Sequence, residues 1–327
     1  LVKQILLERG LPEEMADIGA LKASGFGTKD GKEQKVDEER KTVETAQIMY
    51  LTPNDIQAVA DVIYEAAVEA KTPAAFKKVS SKELQARAVD RWRPMTPDIA
   101  LFGRMITSDA FRDVESAVQV AHALSTHRME HEFDYYTAVD DPRQGVSSED
   151  DKGAAMIGDI EFTSACYYKY FSIDLDGFVD NLVGQNGVVE SDELERARAV
   201  AIRATLAFFE AAVFASPSGK QNTFAAHQLP DVILVEVRDR KIPVSYANAF
   251  VKPVTAGREE YLVEQSIAAL KEHVEIITEK FSLTSMARFW FTTRGVAIAG
   301  TQTCATLADL KEKLAVALRV LLFLSSY

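Results

Sequence analysis

The chain has 327 residues, 47% of them apolar, and carries 37 Lys and Arg against 49 Asp and Glu, a formal charge of −12. Such a chain can bury one large core or two smaller ones. Its acidic balance, taken alone, argues against a nucleic-acid binder, because phosphate contacts need clustered cations. No apolar run reaches bilayer length and no signal peptide is visible, so no membrane partner is expected. Cys166 and Cys304 stand apart with no CxxC or disulfide framework, which suits a cytoplasmic protein.

Leu1–Leu21 is apolar-periodic and predicts a short helical piece, broken at Gly10-Leu11-Pro12. Ser24–Arg40 reads as a charged, glycine-bearing loop. Within it, Gly27-Thr28-Lys29-Asp30-Gly31-Lys32 has a passing likeness to a phosphate loop. Phe26 stands where the Walker spacing needs glycine, and Glu33 where it needs Ser or Thr, so a solvated loop is the expectation. Thr52-Pro53-Asn54-Asp55 is a helix start: an N-cap, a proline for the first turn, and a carboxylate for the N-terminus. Ile56, Val59, Ile63 and Ala66–Ala67 continue it as a helical stripe to Lys71, where Thr72-Pro73 ends it. Lys82–Trp92 predicts another helix, stopped by Pro94 and Pro97. Residues 1–97 are therefore expected to be a mainly helical subdomain.

Asp98–Leu175 predicts a sheet from which a long hairpin projects. Val118, Val120, His122, Leu124 and Thr126 alternate with smaller or polar residues, a period of two that suits a strand, although Ala and Leu leave a helix open for Ser116–Thr126. Phe162, Ser164, Cys166, Tyr168 and Tyr170 alternate with Thr163, Ala165, Tyr167, Lys169 and Phe171, where aromatic content favours a strand. Between these runs lies a polar, acidic excursion, Asp140–Asp159. Further on, Gly184–Gly187 marks a turn, Ser191 caps a helix through Ala215, and Ser216–Thr223 is a turn-rich loop. Asp231–Val237 predicts a strand, and Glu259–Lys280 and Leu307–Leu318 predict helices. This order of strands and helices fits an α+β, ferredoxin-like fold of the RNA-recognition type.

Four groups of residues invite a chemical reading. His127-Arg128-Met129-Glu130-His131 matches an HxxEH zinc-hydrolase pattern, with Glu210 available as a third ligand. Against it, the five residues end a strand-like run, where i and i+4 do not share a helical face. No metal is therefore expected. The carboxylates at Asp140-Asp141 and Glu149-Asp150-Asp151 fit a solvated hairpin better than an acid/base pair, and Cys166 fits an apolar strand better than a nucleophile. Gly219-Lys220-Gln221-Asn222-Thr223 combines a glycine able to take positive φ, one cation and three hydrogen-bonding side chains. That set can hold phosphate oxygens or a 2′-hydroxyl, and equally can form a capped turn. Met105, Tyr136 and Thr137 have side chains able to wedge between bases, against core packing as the alternative.

The ordered blocks Phe102-Gly-Arg-Met105, Val120-Ala-His-Ala-Leu-Ser-Thr-His127, Tyr136-Thr-Ala-Val-Asp-Asp141 and Glu161-Phe-Thr-Ser-Ala-Cys-Tyr-Tyr-Lys-Tyr170 resemble the CasC family. That family is the repeated backbone subunit of the type I-E CRISPR surveillance complex, Cascade. The likeness runs on through Gly219–Thr223 and Val244–Phe250 and is clear over roughly residues 98–250. It implies helical fingers over 1–97, a palm over 98–133 and 162–327, and a thumb hairpin over 134–161. It implies a non-catalytic scaffold with no cofactor, polymerising along a CRISPR guide RNA. Its partners would be further copies of itself, other Cascade subunits and, through guide pairing, target DNA. The residues it assigns to RNA are Arg104, Met105, Tyr136, Thr137, Ile157, Lys220, Gln221, Asn222 and Thr223; the family more often has Arg where this chain has Asn222. A zinc metallohydrolase using His127, Glu130 and His131 is the alternative. The chain begins at Leu1, and the family's opening strand and basic RNA-gripping stretch are expected to be missing from it. That expectation weakens the argument from net charge.

Overall fold

The computed structural model describes residues 1–37, 42–89, 91, 95–138, 156–184, 190–255 and 261–324. The Asp140–Asp151 carboxylates, Trp92, Pro94, most of the Gly184–Gly187 turn and the last three residues lie outside these. In chain order the helices are α1 (Val2–Glu8), α2 (Glu13–Ser24), α3 (Pro53–Ala70), α4 (Pro73–Lys78), α5 (Ser81–Val89), α6 (Pro97–Phe102), α7 (Leu175–Val183), α8 (Ser191–Phe214), α9 (Gln221–Phe224), α10 (Leu262–Lys280) and α11 (Leu307–Leu324). The strands are β1 (Val36–Asp37), β2 (Thr42–Val43), β3 (Val118–Val120), β4 (Leu124–Ser125), β5 (Glu132–Ala138), β6 (Met156–Phe162), β7 (Tyr167–Tyr168), β8 (Phe171–Ile173), β9 (Val232–Val237), β10 (Ala287–Thr292) and β11 (Gln302–Cys304). The fold is mixed α and β with small sheets. Among the described residues no helix is long and apolar enough to cross a membrane.

The chain divides into two compact units, residues 1–119 with 173–208, and residues 120–172 with 209–327. The first is built on α3. Thr52 Oγ1 accepts the Asp55 N–H at 3.1 Å and Asp55 Oδ2 accepts the Thr52 N–H at 3.0 Å, a closed capping box with Pro53 in the first turn. The helix stops at Lys71, which takes left-handed backbone at φ 60. Its stripe of Val59, Ile63, Ala66 and Ala67 packs with Leu6, Phe26, Phe76 and Leu84 into one core. Gly19 permits the close crossing of α2, since a Cβ there would fall 2.5 Å from Leu6 and 3.0 Å from Ile63. Lys22 is buried and donates from Nζ to the carbonyl of Val79 at 2.5 Å, closing the end of α4.

The second unit holds a three-stranded sheet in the order β11-β10-β9, with β9 antiparallel and β11 parallel to β10. Trp290, on the central strand, is fully buried and donates from Nε1 to the Val296 carbonyl at 2.6 Å. Tyr246, Ile267, Val274 and Ile298 complete that core. α11 buries Leu310, Leu314, Leu318 and Leu322, four residues apart on one face. Glu236 accepts from Arg288 Nε at 2.9 Å, Arg238 Nη2 at 2.8 Å and the Tyr246 hydroxyl at 2.9 Å. Burial, with the Glu236 charge, pushes the Tyr246 phenol up to about 12.

Three expectations are corrected. Pro97–Phe102 opens the expected sheet region as a helix, because Pro97 and Asp98 both suit a first turn and Gly103, at φ 77, ends it. The alternating run through Val118–Thr126 is not one strand but β3 and β4, with exposed Ala121-His122-Ala123 between them. Alternation of small residues buries little on either face, so nothing holds the ladder together there. Likewise Thr163–Cys166 is irregular, and Cys166 is half-buried outside any strand.

Candidate functional site

Gly103-Arg104-Met105 turns sharply within the first unit. A Cβ at Gly103 would fall 2.7 Å from the Val114 carbonyl, so the backbone approach requires glycine. Arg104 then exchanges both backbone hydrogen bonds with Val114 at 2.8 Å. Its Nη1 donates to Asp55 Oδ2 at 2.9 Å, and the two side chains are only 5% and 6% exposed. The guanidinium also lies 5.6 Å from the Phe111 ring centroid. Arg104, expected to touch RNA, is thus a buried member of the fold, tied to the carboxylate that caps α3. Met105, the next residue, is 93% exposed. Core packing, the alternative for Met105, does not occur in this unit.

In the second unit β5 and β6 form the expected hairpin, with Tyr136 opposite Gly158 and Thr137 opposite Ile157. Directly opposed residues share a face. One face therefore carries Glu132, Asp134, Tyr136, Gly158, Ile160 and Phe162, and the other carries Phe133, Tyr135, Thr137, Asp159 and Glu161. Tyr136 is 38% exposed, and Phe133 and Tyr135 are more exposed still. The two latter aromatics escaped sequence reasoning, since only register shows which side of the ribbon each ring takes.

The Lys220 loop sits against the base of this hairpin. Phe224, at the end of α9, meets Phe162 with ring centroids 5.3 Å apart. The contact places the loop at the face that carries Tyr136. Neither phenylalanine was singled out from sequence, where each reads as an ordinary apolar residue. Lys220 itself, not Gly219, adopts the left-handed conformation, at φ 56. Its carbonyl accepts from the Thr223 and Phe224 N–H groups at 3.0 Å each. Gln221 Nε2 donates to the Pro217 carbonyl at 2.7 Å, so that amide braces the loop. Lys220, Asn222 and Thr223 remain exposed. A mixed-charge surface lies in the first unit. Gly31 packs on the Lys82 backbone, which brings exposed Lys29 and Lys32 near Lys82, with exposed Asp30, Glu33 and Glu83 among them.

The HxxEH residues are irregular, not helical. His127 Nδ1 bonds the Arg128 carbonyl at 2.8 Å while Nε2 accepts the Cys166 N–H at 3.3 Å. His131 pairs with Glu161, and Glu210 with Lys311. Each would-be ligand has a separate partner. Among the described residues no three His, Cys, Asp or Glu side chains stand together as a metal set. The zinc alternative gains no support.

A family model described as CT1975-like protein matches residues 1–315. A chain of a solved structure described as "CRISPR RNA-guided surveillance complex, pre-nicking" is 25% identical, with a TM-score of 0.74, over 97% of this chain and 82% of that one. Another, described as "CRISPR RNA-guided surveillance complex", is 28% identical, with a TM-score of 0.55, over 68% of this chain and 78% of that one. No match is found among curated proteins. These matches bear out the resemblance read from the ordered sequence blocks.

Proposed function

The chain belongs to the CT1975-like protein family, and from that premise we propose that it is the non-catalytic backbone subunit of a type I-E Cascade complex. The likeness to subunits of CRISPR RNA-guided surveillance complexes supports a place in such an assembly. In this reading several copies polymerise along one guide RNA beside other Cascade subunits, in the cytoplasm. The guide, not the protein, reads target DNA by base pairing. The helical residues 1–97 are the fingers, 134–161 the thumb, and the remainder a ferredoxin-like palm.

The observation that carries the reading is the single hairpin face that joins an aromatic ring to a cationic loop. Tyr136 lies on it, and the Phe162–Phe224 contact seats Lys220, Asn222 and Thr223 at its base. A ring for base stacking and a cation for phosphate on one ribbon face, four strand residues (about 13 Å) apart, are the minimal equipment of a sequence-tolerant single-strand site. Met105 supplies an apolar side chain that is 93% exposed. Arg104 serves by holding the backbone that presents Met105. Gln221 and Ile157 act through the loop and the hairpin register.

The test is purification of the full-length protein followed by nucleic-acid analysis. A short RNA of uniform length is expected to co-isolate. Protein free of RNA, in a preparation that also assembles no oligomer with added guide-length RNA, would overturn the reading. A stoichiometric zinc ion lost on His131→Ala would favour the hydrolase instead.

A further inference from the structure

Gly158 stands opposite Tyr136 in the hairpin register. It is not among the positive-φ glycines, so its backbone conformation is open to any residue. A side chain at this position would meet Tyr136: a Cβ would fall 2.7 Å from the hydroxyl oxygen, 2.8 Å from Cζ and 2.9 Å from Cε1. The outer end of the Tyr136 ring therefore lies across the bare Cα of Gly158, as when an aromatic covers a strand glycine. A β-branched residue would suit the strand better. The space left by glycine is occupied by the tyrosine alone among the nearest atoms. The ring thus has one side against the hairpin, yet the residue keeps 38% of its surface open.

We propose that Gly158 is a positioning residue: it lets Tyr136 lie across the hairpin as a platform whose open side stacks one nucleobase. The inference rests on the RNA-binding reading above and adds to it how the ring is held. A ring that swung freely would have to be ordered when a base arrives, whereas a ring already braced on the hairpin gives up less freedom. The atoms a new side chain would strike are the far end of a flexible side chain. Gly158→Ala and Gly158→Val should therefore displace the ring and leave the strands paired. Both changes also raise strand propensity. The expected signature is opposite in sign: a hairpin at least as stable, and a base that is no longer stacked.

The probe is a guide-length single-stranded RNA carrying 2-aminopurine at one position at a time, bound to the full-length protein. Its fluorescence falls when the base stacks. The unmutated protein should quench at one position per subunit repeat. Gly158→Val should abolish that quench, as should Tyr136→Ala, while anisotropy of end-labelled RNA shows the strand still bound. Tyr136→Phe should keep the quench, and adding Gly158→Val to Tyr136→Ala should change nothing further. Quenching that survives both Gly158 variants overturns the inference and leaves the RNA reading standing. Loss of β structure by circular dichroism in both variants overturns it too, since the glycine would then serve the backbone. An unmutated protein that retains no RNA overturns both.

Discussion

Arg104 and Met105 are neighbours with opposite fates, and the contrast defines what each substitution should do. Arg104→Ala leaves Asp55 buried without its counter-ion, and Asp55 also closes the N-terminus of α3. Breaking a buried pair in this way costs about 3–5 kcal/mol. Arg104→Lys should recover only part of it, because an ammonium cannot reproduce the guanidinium fork. Met105→Ala, with no packing to lose, should change stability by no more than about 0.5 kcal/mol. Urea unfolding of the three variants checks all of this; equal losses at the two positions would contradict the burial difference. The family block Phe102–Met105 puts both residues forward as RNA contacts, because it holds them side by side. It could not separate them: adjacent side chains diverge according to turn geometry, and here a backbone bridge to Val114 decides which one points inward.

At the scale of the element, the Lys220 loop invites a pair of substitutions that separate charge from strain. A non-glycine residue at φ 56 is held in a costly conformation. Lys220→Gly should relieve up to about 1 kcal/mol of that strain, whereas Lys220→Ala should not. Both should weaken RNA binding about equally for all sequences and lower the salt slope by roughly one phosphate's worth. A sequence-selective loss would mean the loop reads bases. A second element-scale test concerns the Glu236 cluster. The Tyr246 phenol is raised from 10.0 to about 12, so the folded state holds its proton more tightly than the unfolded chain. Its contribution is complete below pH 10 and is lost as pH rises from there towards 12. Tyr246 is nearly fully buried, and the effect is on the order of 2 kcal/mol. Tyr246→Phe should flatten that alkaline decline in a stability profile. These elements were unequally legible. α3, α8 and α10 announce themselves through a 3.6-residue stripe, α3 through its capping box as well, and the hairpin through two aromatic runs around a polar insert. The split of β3 from β4 was not legible, because alternation records which residues could face a core, not whether a core lies there.

For the whole molecule, the net charge of −12 is a poor guide to partners, since charge acts where it is placed. Exposed Lys29, Lys32 and Lys82 stand around Gly31 with Asp30, Glu33 and Glu83 among them, and Lys220 stands at the hairpin base below a face that also carries Glu132 and Asp134, so the sign of the charge changes from residue to residue on the same surface. Sequence composition averages over that arrangement, whereas the ordered motif blocks survive it. A chain that repeats along one RNA imposes its own period on the strand, because every copy presents the same side chains at the same interval. Met105 and Tyr136 have side chains able to replace lost stacking, and base–aromatic stacking is worth roughly 1–3 kcal/mol per base. Chemical probing of the guide in the intact assembly should therefore show one reactive nucleotide per subunit repeat. The double change Met105→Ala plus Tyr136→Ala should blur that period and loosen assembly. The isolated subunit should stay folded, because Met105 is 93% exposed, and Tyr136 is 38% exposed with the outer end of its ring over Gly158. Uniform reactivity in the unmutated assembly would remove the wedge altogether. Unfolding of the isolated double variant would instead return both residues to the protein's own packing.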